Sequence, residues 1–236
     1  METNRLYYGD NLDILQNHIA DESVDLIYID PPFNSNQAYN VIFREMDGVS
    51  SEAQIQAFED TWQWGDATEK AYHKLVVTAP PRLVETIKHF RGFLTTTNLM
   101  AYLVMMGLRL VELHRVLKPT GSFYLHCDPT ASHYLKIILD QIFGSESFRN
   151  EIIWHYKRWP AKQKNFQKMH DVILFYSKEK QANTFNVIYE ELSEGTLKRW
   201  RGKKSRVKFE GERRLVTQMT NEESPGRPAD DVWNVP

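Results

Sequence analysis

Asp30, Pro31, Pro32 and Phe33 place a carboxylate, two backbone-fixing rings and an aromatic face in four consecutive residues. Proline has no amide hydrogen to donate, so any strand ladder ends where the pair begins. The residues before it, "VDLIYI" over 24–29, are apolar and β-branched and predict a buried strand. In open α/β sheets ligands bind beyond the carboxyl ends of strands, and that is where this tetrapeptide stands. Its chemistry suits a planar base with an exocyclic amino group. The nitrogen's lone pair is delocalised into the ring, so it attacks an electrophile only when held in a more tetrahedral geometry. Two acceptors aimed at its hydrogens would do this, the Asp30 carboxylate and the Pro31 carbonyl, pre-aimed by the stiff backbone. The Phe33 ring offers a stacking face for an extruded base, or else plugs the core.

The elements that would carry this corner can be read around it. Residues 6–8 form a short apolar strand stopped by Gly9-Asp10, and residues 11–18 a helix with Leu12, Leu15 and Ile19 on one face. Strand, helix and the strand 24–29 make a βαβ-like unit, so parallel pairing is predicted. Residues 34–66 are polar with scattered aromatics, among them Trp62 and Trp64, and are long enough for a lid. Residues 71–90 and 98–117 read as helices, the second with Leu99, Leu103, Met106, Leu110 and Leu113 at helical spacing. Its methionines are core filler. Residues 118–121, Lys-Pro-Thr-Gly, read as a helix stop and turn. A buried strand at 122–127, a helix at 130–143 and strands at 151–157 and 170–178 follow. A basic loop with Trp159 joins the last two.

Charge is unevenly spread. Residues 1–150 hold 12 Lys and Arg against 19 Asp and Glu; residues 157–214 hold 16 against 7. The second stretch would face a polyanion, or else form a solvated basic surface. Within it Lys157, Arg158, Lys162 and Lys164 surround Trp159, and Lys198, Arg199, Arg201, Lys203 and Lys204 surround Trp200. Cations interleaved with aromatics suit phosphate contacts with stacking. The single cysteine, Cys127, precludes an internal disulfide and reads as a buried thiol. No Cys/His cluster has zinc spacing, so no metal is expected. No apolar run reaches membrane length and no signal-peptide pattern opens the chain, so a soluble cytoplasmic protein is expected.

"DPPF", with an apolar strand before it and "YYGDNLDIL" about twenty residues upstream, resembles the Asp/Asn/Ser-Pro-Pro-Tyr/Phe signature of S-adenosylmethionine-dependent DNA amino-methyltransferases. "LMAYLVMMGLRLVELHRVLKPTGSFYLHCDPTASHYLKIILDQIFG", "NEIIWHYKRWPAKQKNFQKMHDVILFYSK", "SEGTLKRWRGKK" and "DDVWNVP" are similar to later parts of the same family. The tetrapeptide precedes everything else, as in the permuted (beta-type) class. The resemblance implies a Rossmann-like α/β methyltransferase fold, its sheet mostly parallel with an antiparallel final hairpin, and a small basic target-recognition region. It implies S-adenosylmethionine as methyl donor, with Asp10, Asn11 and Asp30 near it; Asp10 also reads as the N-cap of the helix over 11–18. It implies Asp30, Pro31, Pro32 and Phe33 as catalytic residues and double-stranded DNA as partner, with a cognate restriction endonuclease as a further one. Aspartate first in the tetrapeptide leans towards adenine N6, and serine there is more usual for cytosine N4. Cytosine-N4 transfer, a DNA-binding fragment without catalysis, and action on RNA or protein stay open.

The family's glycine-rich cofactor turn has no counterpart here. The one near-candidate, Gly107, falls inside a predicted helix. By resemblance the sheet order is 3-2-1-4-5-7-6, with residues 6–8 as strand 3 and 24–29 as strand 4. Strands 1 and 2 would be missing, so the fold is expected to be incomplete, with strand 4 as an uncovered edge and weak cofactor binding. The expected division is 1–180, catalytic, and 181–236, the start of the basic recognition region.

Overall fold

The computed structural model describes residues 4–31, 63–159, 162, 164–180, 182–211 and 213–234. The chain divides into two units, one of residues 1–184 with 232–236 and one of residues 185–231.

In the first unit, helix α1 (Asn11–His18) precedes strand β1 (Val24–Ile29). Helices α2 (Asp66–Thr78), α3 (Pro81–Leu94) and α4 (Asn98–Val116) follow, then β2 (Leu117–Cys127), α5 (Ser132–Phe143), β3 (Phe148–His155) and β4 (His170–Ser177). The helical reading of 71–90 divides at Ala79-Pro80. Ala79 N–H closes α2 on the Leu75 carbonyl, and Pro81, lacking an amide hydrogen, opens α3 at its first position. The 118–121 turn is a bulge within β2. Val24 pairs with Leu117 and Leu26 with Ser122, so the residues between loop out of an otherwise continuous ladder.

The sheet order is β1-β2-β4-β3, extended by β9 (Val232–Asn234), which pairs parallel with β3. β1 and β2 run parallel, and β4 is antiparallel to both β2 and β3. Four of five strands thus share a direction. The first four follow the 4-5-7-6 part of the expected order, final antiparallel hairpin included. Residues 6–8 are not a strand. Leu6 is almost wholly exposed, and Tyr7 stacks on His18 of α1 at 5.6 Å, so this segment is tied to the helix. A strand needs a ladder partner, and among the described residues β1 pairs only with β2. Leu26 and Tyr28 of β1 are 60% and 51% exposed.

Strand parity sorts side chains between two faces. Ile27, Phe123, Leu125, Cys127, Val172, Leu174 and Tyr176 join the helices in one core with Leu75, Leu83, Ile87, Leu103, Leu110 and Leu135. The opposite face carries Tyr124, Ile152, Trp154, Ile173, Phe175 and Trp233, with Tyr124 and Phe175 stacked at 4.4 Å. Burial among apolar neighbours pushes the Cys127 thiol pKa up, which fits a structural thiol.

The second unit contains β5 (Tyr189–Glu190) paired with β8 (Arg227–Pro228), helix α6 (Glu194–Trp200), and a hairpin of β6 (Lys203–Glu210) and β7 (Arg213–Glu223). Among the described residues no helix is long and apolar enough to cross a membrane.

Candidate functional site

Asp30 is the first residue past β1, and Ile29 pairs with Leu125 of the adjoining β2. The next pair of positions is therefore Asp30 and His126, at the carboxyl ends of two parallel neighbours. Ladder parity puts Tyr28, Asp30 and His126 on the face opposite the helices. β4 adds Asp171, two residues before Ile173, which pairs with His126. β3 adds Trp154, which pairs with Asp171.

The side chains converge accordingly. His126 Nδ1 lies 3.2 Å from Asp30 Oδ1, and Nε2 lies 3.7 Å from Asp171 Oδ2. Tyr28 Oη is 3.4 Å from the same Nδ1, and the imidazole stacks on Trp154 at 5.9 Å. Tyr156 Oη donates to Asp171 Oδ1 at 3.3 Å and accepts from Arg158 Nη2 at 3.0 Å. The His126 side chain is 13% exposed and that of Asp30 57%, so the acid faces solvent while its histidine neighbour is enclosed. Burial, then the Asp30 charge, raises the Tyr28 pKa; burial, then the Asp171 charge, raises that of Tyr156. Both phenols stay protonated donors near neutrality. Among the described residues no three His, Cys, Asp or Glu side chains form a metal-ligand group. Sequence reading missed His126, Asp171, Tyr28 and Tyr156. The available signal was parity: polar side chains at the carboxyl end of β2 and the amino end of β4, on the face away from the helices.

Pro31 follows Asp30 and is partly buried; Pro32, Phe33 and Trp62, with most of the 34–66 stretch, lie outside the described residues. Trp64 packs at α2, donating to Glu69 at 3.0 Å beneath the Arg91 guanidinium.

Asp10 and Asn11 open α1. Gly9 reaches the turn with φ +137°, a conformation that favours glycine. Asp10 Oδ1 caps the helix, accepting from Leu12 N at 2.8 Å. Arg109, buried on α4, donates Nη2 to both Asp10 oxygens at 2.7 and 2.9 Å and Nε to Asn11 Oδ1 at 2.7 Å. Beyond the cap and the Arg109 pair, the Asp10 side chain remains 46% exposed. The exposed Asn11 amide stands beside this anchored carboxylate, so the start of α1 presents both a hydrogen-bond acceptor and a donor to solvent. Gly107 forms no phosphate-type turn; it lies within α4 against Leu75 of α2.

The basic residues fall into separate units. Lys157, Arg158, Trp159, Lys162 and Lys164 are exposed on the β3–β4 connection of the first, Trp159 at 93%. Lys198 and Arg199 are exposed on α6 of the second, followed by Arg201 in the left-handed conformation that ends the helix. Three cations of this second set have acidic neighbours: Lys198 with Glu194 at 3.6 Å, Lys203 with Glu223 at 3.8 Å and Lys204 with Glu222 at 2.9 Å.

The chain is 31% identical over 178 residues to the Mod subunit of the type III restriction-modification enzyme StyLTI of Salmonella typhimurium, covering 74% of this chain and 24% of that protein. It is 25% identical over 180 residues to the type II methyltransferase M.KpnI of Klebsiella pneumoniae, covering 75% of this chain and 33% of that one. The chain thus spans about a quarter to a third of these curated relatives' length. A solved structure titled PvuII DNA methyltransferase (cytosine-N4-specific) superposes with a TM-score of 0.41 and 13% identity, over 83% of this chain and 61% of that one. The N6/N4 family of DNA methylases, which use S-adenosylmethionine as methyl donor, matches residues 24–236, and the chain belongs to it.

Proposed function

We propose that this chain carries the base-binding and catalytic part of an enzyme that methylates the N6 amino group of adenine in DNA, within a restriction-modification system. The observation that carries the reading is Asp30: a solvent-facing carboxylate one residue past a sheet strand, followed by a proline and braced by an enclosed histidine.

A base inside the duplex is out of reach, so it is extruded at a cost of about a few kcal/mol. Asp30 and the Pro31 carbonyl accept the amino hydrogens and localise the nitrogen lone pair, while Phe33 stacks on the ring. S-adenosylmethionine supplies the electrophilic methyl group. Asp10 and Asn11 would hold its adenosine end, with Asp30 a further residue of the cofactor site. Positioning and electrostatics carry the rate, without a covalent enzyme intermediate. Residues 157–164 and 198–204 contact DNA phosphates; the pairing of Lys198, Lys203 and Lys204 with acids makes Arg199 and Arg201 the main contributors of the second group. A cognate endonuclease subunit is the partner such a system requires.

Asp30→Ala should lower single-turnover methyl transfer to duplex DNA by roughly 10²–10³-fold or more while DNA affinity stays within about twofold. Equal loss of affinity and rate would make Asp30 structural. Digestion of the methylated product to nucleosides decides the base: N6-methyladenine supports the proposal, and N4-methylcytosine overturns its adenine part.

A further inference from the structure

We infer that His126 is a positioning residue that fixes the Asp30 carboxylate in the orientation needed to accept the amino hydrogens of the base. The inference rests on the reading of Asp30 given above. Asp30 stands beyond the last ladder pair of β1 with its side chain 57% exposed. An unrestrained carboxylate there would rotate among staggered positions, and an acceptor misplaced by about 1 Å costs on the order of 10²-fold in rate. His126 supplies the restraint. Its Nδ1, 3.2 Å from Oδ1, faces one carboxylate oxygen and leaves Oδ2 for the base.

The imidazole is itself held from three sides. Trp154 stacks on its face with 20° between the planes, Tyr28 Oη lies 3.4 Å from Nδ1, and Asp171 faces Nε2 at 3.7 Å. Asp171 is fixed in turn by the Tyr156 hydroxyl, 3.3 Å from Oδ1. A line of contacts therefore runs from the exposed acid across β2 and β4 to β3. Packing alone would not need a ring nitrogen within 4 Å of each of two carboxylates.

Two variants separate positioning from packing. The amide nitrogen of His126→Asn takes the place of Nδ1 and can still donate to Asp30. His126→Phe keeps a ring against Trp154 but has no donor. In the protein expressed from its natural reading frame, His126→Phe should lower the single-turnover rate by roughly 10- to 100-fold with KM for DNA changed less than about twofold. His126→Asn should return the rate to within about fivefold of wild type. A wild-type rate in His126→Phe, or an equal loss in both variants, overturns the inference. Should His126→Phe fail to fold by circular dichroism, the comparison moves to His126→Gln, whose amide lies near Nε2. Asn well above Gln supports the role, and equal rates overturn it. Asp30→Ala in the same assay tells the two readings apart. Full activity there removes the reading of Asp30 itself; an inactive Asp30→Ala beside a fully active His126→Phe removes only the positioning role.

Discussion

His114 illustrates what burial does to a single titratable group. It lies edge-on to Phe143 at 4.7 Å, and desolvation, helped by the nearby Lys178 charge, lowers its pKa from 6.5 to about 4, with Glu22 opposing. The unfolded chain therefore takes up a proton below pH 6.5 that the folded chain refuses until about pH 4. Stability that is level above this window falls through it, by at most about 1.4 kcal/mol per pH unit. Urea denaturation of His114→Leu should show a flatter acid limb between those pH values than wild type. Coincident limbs would mean that other groups set the acid response. Arg109 is the second case. Its side chain is 8% exposed while that of Asp10 is 46%, so Arg109→Met removes four charge-assisted bonds, one of them to the Met105 carbonyl, but leaves an acid that water can reach. The cost should be about 2 kcal/mol in urea melts, below the range for a fully buried pair. A parallel fall in S-adenosylmethionine affinity by calorimetry is expected if Asp10 and Asn11 hold its adenosine end.

Helix α4 organises its neighbours. Arg109 grips the start of α1, and six residues on, Arg115 donates to the Leu15 and Ile19 carbonyls at the helix's other end, at 2.6 and 3.2 Å, and pairs with Asp21. Carbonyls in the last turn of a helix lack internal partners, so a cation there both satisfies them and meets the negative end of the dipole. Against α2, α4 presents Gly107. A Cβ at that position would meet Leu75 Cδ1 at 2.7 Å, and Leu75 is fully buried. Gly107→Val should destabilise by about 1–3 kcal/mol through overpacking, read from the urea midpoint; an unchanged midpoint would show that Leu75 has room to yield. The glycine is there for helix packing, which is why its sequence neighbourhood carries no turn signature.

At the scale of the molecule, phosphate contacts imply a salt-dependent affinity. Lys157→Ala, Lys162→Ala and Lys164→Ala together should reduce the slope of log affinity against log salt by about 2–3, and a flat response in the unaltered protein would remove the DNA-facing role of this loop. Much of the design is legible along the chain because its causes are local. β-branched runs marked β1 and β4, and the apolar, aromatic run 123–125 marked the core of β2; leucines at heptad-like spacing marked α4; the paired prolines marked the end of β1. Pro80 and Pro81 also ended α2, but apolar spacing on both sides masked the break. The reading of residues 6–8 as a strand failed because a ladder depends on a neighbour, and periodicity carries no information about neighbours. The same limit hid the site's second half. Asp30 is recognisable from its own four residues. His126 and Asp171 acquire meaning only when parallel pairing of β1 with β2 and antiparallel pairing of β2 with β4 bring three distant segments to one sheet end. Composition and spacing decide which segments become strands and helices, since each depends on a few adjacent side chains. Strand register decides which polar groups meet, and only the folded sheet sets it.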